Sequence, residues 1–156
     1  MANFNHPLSK EDELAVATIL MEADGESHEG KTAVGRVILS RMKNKYSSDG
    51  TVEGTVLRTL KNKTNSYQFS AWNTGSNNDG NPLRKQGKSP EEVLATLRQS
   101  PAWENNVAAW EEAKKKADKP FPTLYYKVGS KEPWWAKAKS VTEVGTIGQH
   151  RFFTDK

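Results

Sequence analysis

The chain contains no cysteine. Disulfides, thiolate zinc sites and a cysteine nucleophile are thereby excluded. Histidine is scarce: His6, His28 and His150 are scattered and nowhere form the His-Glu-x-x-His spacing of a zinc-binding helix. No metal and no cofactor are therefore expected. Long apolar runs are missing too, and no segment approaches the roughly 20 apolar residues that cross a bilayer. The start, MANFNHPLSKEDEL, has no basic region followed by an apolar stretch. The expectation is a protein made in the cytoplasm without a signal peptide and without membrane insertion. No internal repeat and no linker divides the sequence.

What is present points to one folded domain. A length of 156 residues suits one core. Mean hydropathy is −0.81, low for a globular protein, yet five Trp, five Phe and four Tyr supply large groups to bury. Disordered chains usually lack such residues. Lys and Arg exceed Asp and Glu by 23 − 19 = 4. A modest positive charge suits an anionic partner such as a cell wall, nucleic acid or an anionic lipid surface. The longest basic run, Lys114 to Lys116, lies in a predicted helix and reads as a solvated face.

The organising stretch is Leu14 to Arg41, LAVATILMEADGESHEGKTAVGRVILSR. It holds two apolar, helix-period runs joined by a short acidic turn. The first helix starts at Ser9 as N-cap, with Glu11, Asp12 and Glu13 in its first turn. Its apolar residues widen beyond one face, so it should be covered on more than one side. Gly25 marks its stop. Glu22 sits beside Thr18 and Ile19 near its end, because positions three and four apart share a face. An acid there is either a solvated surface group or a partly desolvated one. Desolvation favours the protonated form, which is what donation to a leaving oxygen requires.

The second helix is predicted over about 30–44, on the stripe Ala33, Val34, Val37, Ile38 and Met42, with Arg36 and Arg41 off it. A turn over residues 47–50 leads to a third predicted helix from Val52 to Leu60. Residues 61–88 form a long polar segment. Its part YQFSAWN is read as the wall of a binding cleft, and GSNNDGNPLRKQGK as a mobile surface loop. Ser89, Pro90 and Glu92 start another helix. A further one, from Ser100-Pro101, carries Trp103, Val107 and Trp110 as a core stripe. TLYYKVG is strand-like. Trp134 and Trp135 either cover an apolar edge or line a sugar site. The tail VTEVGTIGQHRFF reads as one or two short strands or an extended return over the domain.

Several blocks resemble, in order, the spore-cortex-lytic (SleB-type) cell wall hydrolase family. They are Glu22-Ala23 with Gly25-Glu26, then Glu29-Gly30 with Ala33-Val34, and Ser40-Arg41. Gln68-Phe69-Ser70, Leu124-Tyr125-Tyr126 and Ile147-Gly148-Gln149-His150-Arg151-Phe152-Phe153 follow. The match spans about residues 12–153. Two departures are the Lys127-Val128-Gly129 that follows the tyrosines and the long segment between Trp72 and Ser89.

The resemblance implies a mainly α (α+β), lysozyme-like single domain over 1–156, core about 10–153, with a small C-terminal strand or hairpin region. It implies cleavage of peptidoglycan glycan strands between N-acetylmuramic acid and N-acetylglucosamine, as a lytic transglycosylase giving 1,6-anhydro ends. Glu22 falls on the family's catalytic acid. Gln68, Phe69, Ser70, Tyr125, Tyr126 and His150 become substrate-binding candidates, with His150 equally readable as structural. At least one of Tyr125 and Tyr126 should face the core, since strand neighbours point opposite ways. Glu26 is either a second carboxylate or a structural acid holding the turn. A muramidase, which needs such a second carboxylate, and a non-catalytic module for glycan or single-stranded nucleic acid are the competing readings. The acidic turn, which would face the phosphates, argues against nucleic acid. The expected partner is peptidoglycan, the expected state a monomer and the expected setting a phage endolysin or related muralytic enzyme.

Overall fold

Ser9 opens helix α1 (Lys10–Glu22) with a complete capping box: its side chain accepts from the Asp12 amide, and Asp12 bonds back to the Ser9 backbone. In the computed structural model, which describes residues 8–60, 66–74, 81–128 and 132–154, Leu14 through Ile19 are all fully buried. A helix covered all round lies at the centre of its domain. It packs against α2 (His28–Asn44), α3 (Glu53–Val56), α5 (Pro90–Leu97) and α6 (Trp103–Lys115).

Polar bonds fix α1 in place. Thr18 Oγ1 donates to the Leu14 carbonyl at 2.7 Å and accepts from the Trp72 indole at 2.9 Å, with both side chains fully buried. Asp12 accepts from the Trp110 indole at 2.8 Å and from Lys114 at 3.1 Å. Burial alone would push the Asp12 carboxyl up, but the bonds from Trp110, Lys114 and Ser9 outweigh it and hold it below the usual carboxylate range.

The predicted second helix is α2, extended at its start by Ser27 as N-cap. Its Gly35 lets α6 approach closely: a Cβ there would meet Ala113 at 3.0 Å and Ile19 at 3.2 Å. The stripe Trp103, Val107 and Trp110 of α6 is buried as expected. Lys114 pairs with Asp12 and Glu111, and Lys116 with Glu112.

Two expectations fail here. The helix predicted over Val52 to Leu60 stops at Val56, and Leu60 is 37% exposed. Backbone at 58–60 instead pairs with 66–68, through Gln68 N to Arg58 O at 2.8 Å and Leu60 N to Ser66 O at 2.9 Å. Tertiary pairing overrides the local periodicity. The stretch read as a mobile loop contains a short helix, α4 (Pro82–Lys85), capped by Asn81. Its Arg84 is only 6% exposed and donates to the Trp72 carbonyl and the Tyr67 hydroxyl. Residues 75–80 of that stretch lie outside the described residues.

The chain closes with a three-stranded antiparallel sheet in the order β1 (Leu124–Lys127), β3 (His150–Thr154), β2 (Thr142–Ile147). Tyr125 lies opposite Phe152, and Tyr126 opposite Arg151. Trp135 packs edge-on against Tyr126 and Phe153, so it covers an apolar edge, whereas Trp134 is 86% exposed. The result is a helix-rich, lysozyme-like α+β domain with the small C-terminal sheet expected.

Candidate active site

Glu22 is the last residue of α1. Ala23 ends the helix, and Gly25, at φ +81°, turns the chain away. The half-buried Glu22 carboxylate is held at both oxygens: Oε1 accepts from the Tyr125 hydroxyl at 2.8 Å, Oε2 from the Ala71 backbone amide at 2.9 Å. Each oxygen of a carboxylate offers two acceptor sites. Among the described residues, one on each therefore remains after these bonds.

The supports come from well-anchored elements. Ala71 belongs to a 3₁₀ turn, Ser70–Trp72, pinned by buried Phe69 on one side and buried Trp72 on the other. Tyr125 comes from β1, whose entry is tied to α2. Ser40 Oγ donates to the Phe121 carbonyl at 2.6 Å, and Arg41 Nε to the Thr123 carbonyl at 2.7 Å. The Tyr125 ring lies between Phe152, stacked at 5.7 Å, and Phe69, tilted at 6.3 Å. Burial pushes the Tyr125 phenol well above its ordinary value, and the neighbouring Glu22 charge and bond add to this. The phenol therefore stays an O–H donor.

The remaining candidates separate. Tyr126 points to the other face of the sheet, stacked on Phe153 and bonded by Arg151, so it does not join Glu22. Phe69 is 1% exposed and supports Tyr125 from the core instead of lining a groove. Ser70 is exposed beside Ala71, and Gln68 is half-buried just before Phe69. His150 is 2% exposed with its ring edge-on to Tyr125, which gives it a structural position beneath the site. Burial lowers its basicity; the charges of Glu26 and Glu22 and a bond to the Glu22 carbonyl partly restore it, while Lys127 opposes them. Glu26 does not reach for Glu22's place. Its Oε1 accepts from the Gln149 amide at 3.0 Å and lies against Gly148, clasping the β2–β3 turn.

Two participants escaped sequence reasoning. The Ala71 amide has no side-chain signal. Arg41 did have one: it lies seven residues after Val34 and four after Val37, so helical spacing puts it on the buried stripe, not off it. It is 5% exposed.

Two adjoining concavities, each about 490 Å³, share Arg36, Lys116 and Phe121 in their walls. Neither is lined by Glu22. Glu22 is half-buried, and its carboxylate is held by hydrogen bonds from two separate elements. Among the described residues, no cluster of His, Asp and Glu could hold a metal ion.

Comparison with solved structures finds the same fold in two bacterial catalytic domains. The catalytic domain of the Bacillus cereus SleB protein is 20% identical, with a TM-score of 0.55 over 97% of this chain and 96% of that one. The catalytic domain of the germination-specific lytic transglycosylase SleB from Bacillus anthracis is 17% identical, with a TM-score of 0.52 over 96% of this chain and 98% of that one. No curated protein matches the chain by sequence. The Cell Wall Hydrolase family profile matches residues 25–153, starting three residues after Glu22. The chain belongs to that cell wall hydrolase family, and its fold is that of the two SleB catalytic domains.

Proposed function

We propose that the protein cleaves the glycan strands of bacterial peptidoglycan between N-acetylmuramic acid and N-acetylglucosamine as a lytic transglycosylase, with Glu22 as its acid and base. The observation that carries this is the Glu22 carboxyl at the exit of a buried helix, oriented by the Tyr125 hydroxyl and the Ala71 amide. Family membership supplies the cell wall as the setting, and a SleB domain of the same fold is a germination-specific lytic transglycosylase.

In this reading, protonated Glu22 donates to the glycosidic oxygen while the bond to the muramyl anomeric carbon breaks. The carboxylate so formed accepts the proton of the muramyl 6-hydroxyl, whose oxygen closes the 1,6-anhydro ring. One carboxyl returns to its starting state, and no water is consumed. Tyr125 serves both halves, because a phenol donates to a carboxylate and accepts from a carboxylic acid. In the same reading Ser70, exposed next to Ala71, and the half-buried Gln68 contact the sugar. The commitment of Glu26 to the Gln149 amide supports the one-carboxyl scheme over a muramidase with two.

Mass spectrometry of digested, purified sacculi tests the reading. Muropeptides ending in 1,6-anhydromuramic acid, lighter than the hydrolysis product by one water or about 18 Da, are expected. Glu22→Gln should lower turnover by about 10²- to 10⁴-fold. Reducing ends in the products would replace the transglycosylase with a hydrolase. Full activity in Glu22→Gln would remove Glu22 from the chemistry.

A further inference from the structure

Arg41 is a cation buried without an anionic partner in contact. It is 5% exposed, and none of the ion pairs among the described residues includes it. Its Nε donates to the Thr123 carbonyl, and its guanidinium lies over the Phe69 ring at 4.7 Å and the Tyr46 ring at 5.7 Å. Its Nη1 is buried with no hydrogen-bond partner among the described residues. Burial pulls its basicity down; the fields of Tyr125, Tyr46 and Glu22 pull it back up.

Such a group is costly. A buried, unpaired charge destabilises a fold by several kcal/mol, and an apolar side chain of similar volume usually does better at a purely structural position. The Thr123 carbonyl and two rings are partial compensation. After Tyr125 and Tyr46, Glu22 is the carboxylate whose field reaches Arg41; Tyr125 is hydrogen-bonded to Glu22 and packs on the same Phe69 ring that Arg41 covers.

We infer that Arg41 is a positioning residue for the reaction: it stabilises the Glu22 carboxylate across Tyr125 and Phe69, and so favours departure of the Glu22 proton. This rests on Glu22 being the proton donor. While Glu22 holds its proton, Arg41 faces a neutral group. As the proton passes to the glycosidic oxygen, the electron pair stays on the carboxylate and the attraction to Arg41 appears. An interaction that grows toward the transition state lowers the barrier; one present throughout does not. The low dielectric around a 5%-exposed guanidinium lets that attraction act without direct contact.

The test compares wild type with Arg41→Lys, Arg41→Gln and Arg41→Met in kcat, KM, pH dependence and melting temperature. The other titratable groups in contact with Glu22 are Tyr125 of β1 and His150 of β3, with Glu26 acting on His150 in turn, and all stay unchanged. Arg41→Gln should lower kcat by about 10- to 100-fold with KM within about threefold. Loss of the cation favours the neutral acid, so the alkaline limb of the pH–rate profile should move up by about half to one pH unit. Arg41→Lys keeps the charge and should keep the limb in place.

Gln can still donate to the Thr123 carbonyl, so it carries the test if Arg41→Met does not fold. A lower melting temperature with an unmoved limb in both Gln and Lys variants would reduce Arg41 to a structural support and overturn the inference. Glu22→Gln, run alongside, separates the two ideas. An inactive Glu22→Gln with an unmoved Arg41→Gln limb sinks this inference alone, whereas an active Glu22→Gln sinks the acid assignment and the inference with it.

Discussion

The Tyr125 hydroxyl donates to Glu22 Oε1 at 2.8 Å across 103 residues of sequence. A strand of the C-terminal sheet thus completes a site that begins at the end of the first helix. Removing the phenol oxygen leaves the ring packing on Phe152 and Phe69 intact. Tyr125→Phe is expected to lower kcat on sacculi by about 10- to 100-fold, with the melting temperature little changed. Turbidity clearance beside a thermal melt checks it, and wild-type turnover would refute a role for the hydroxyl.

Glu26 is expected to matter for its oxygen and not for its charge. It accepts from the Gln149 amide and lies against Gly148, at φ +58°. Glu26→Gln keeps an acceptor oxygen and should stay within about threefold of wild-type turnover. Glu26→Ala leaves the turn unclasped and should cost about 1–2 kcal/mol of stability. A second catalytic carboxylate would behave otherwise, with Glu26→Gln dropping turnover by about 10²-fold or more. Steady-state rates for the two variants decide.

The Thr18–Trp72 bond joins α1 to the 3₁₀ turn that presents the Ala71 amide. Thr18→Val keeps the shape but strands a buried indole N–H. A loss of about 1–3 kcal/mol follows from that donor alone. Replacing both partners, as Thr18→Val with Trp72→Phe, removes the donor but leaves a smaller ring. A double-mutant cycle by urea unfolding should therefore give a coupling energy clearly above zero. Strictly additive losses would show that the bond contributes nothing.

Stability should fall on acidification through the range where His150 titrates. Burial lowers its folded-state basicity below the ordinary histidine value, against the pull of Glu26 and Glu22 and with Lys127 acting in the same sense as burial. Between the two values the unfolded chain holds a proton that the folded chain does not. Unfolding then takes up a proton, so stability rises with pH across that window and is lost as pH falls from about 6.5 toward the folded value. Melting temperatures from pH 8 to 5 should show this decline, and His150→Gln should flatten it. An unchanged slope in the variant would place the effect elsewhere.

Local chemistry was readable along the chain. Ser9 with Asp12 and Ser89 with Glu92 announce helix starts, and both form capping boxes. Trp103, Val107 and Trp110 announce a buried stripe. The tail announces one or two short strands, and the acid at position 22 stands at a helix end as expected. These signals act within about four residues, where backbone geometry alone sets who meets whom.

Tertiary packing decided the rest. Nothing near Val52 says that its helix must yield at Val56 to pairing with residues 66–68. Nothing near Arg84 says that it will be buried against Trp72. Which tyrosine of the pair faces the acid depends on the register of β1 against β3, and the Ala71 amide has no side chain to advertise it. The sequence by itself determined a helical, cell-wall-hydrolase-like chain with an acid at the exit of its first helix. Only the folded arrangement, through contacts spanning 49 and 103 residues, decided what holds that acid. Partners so far apart are brought together by burial of the whole core, and no short-range rule encodes them.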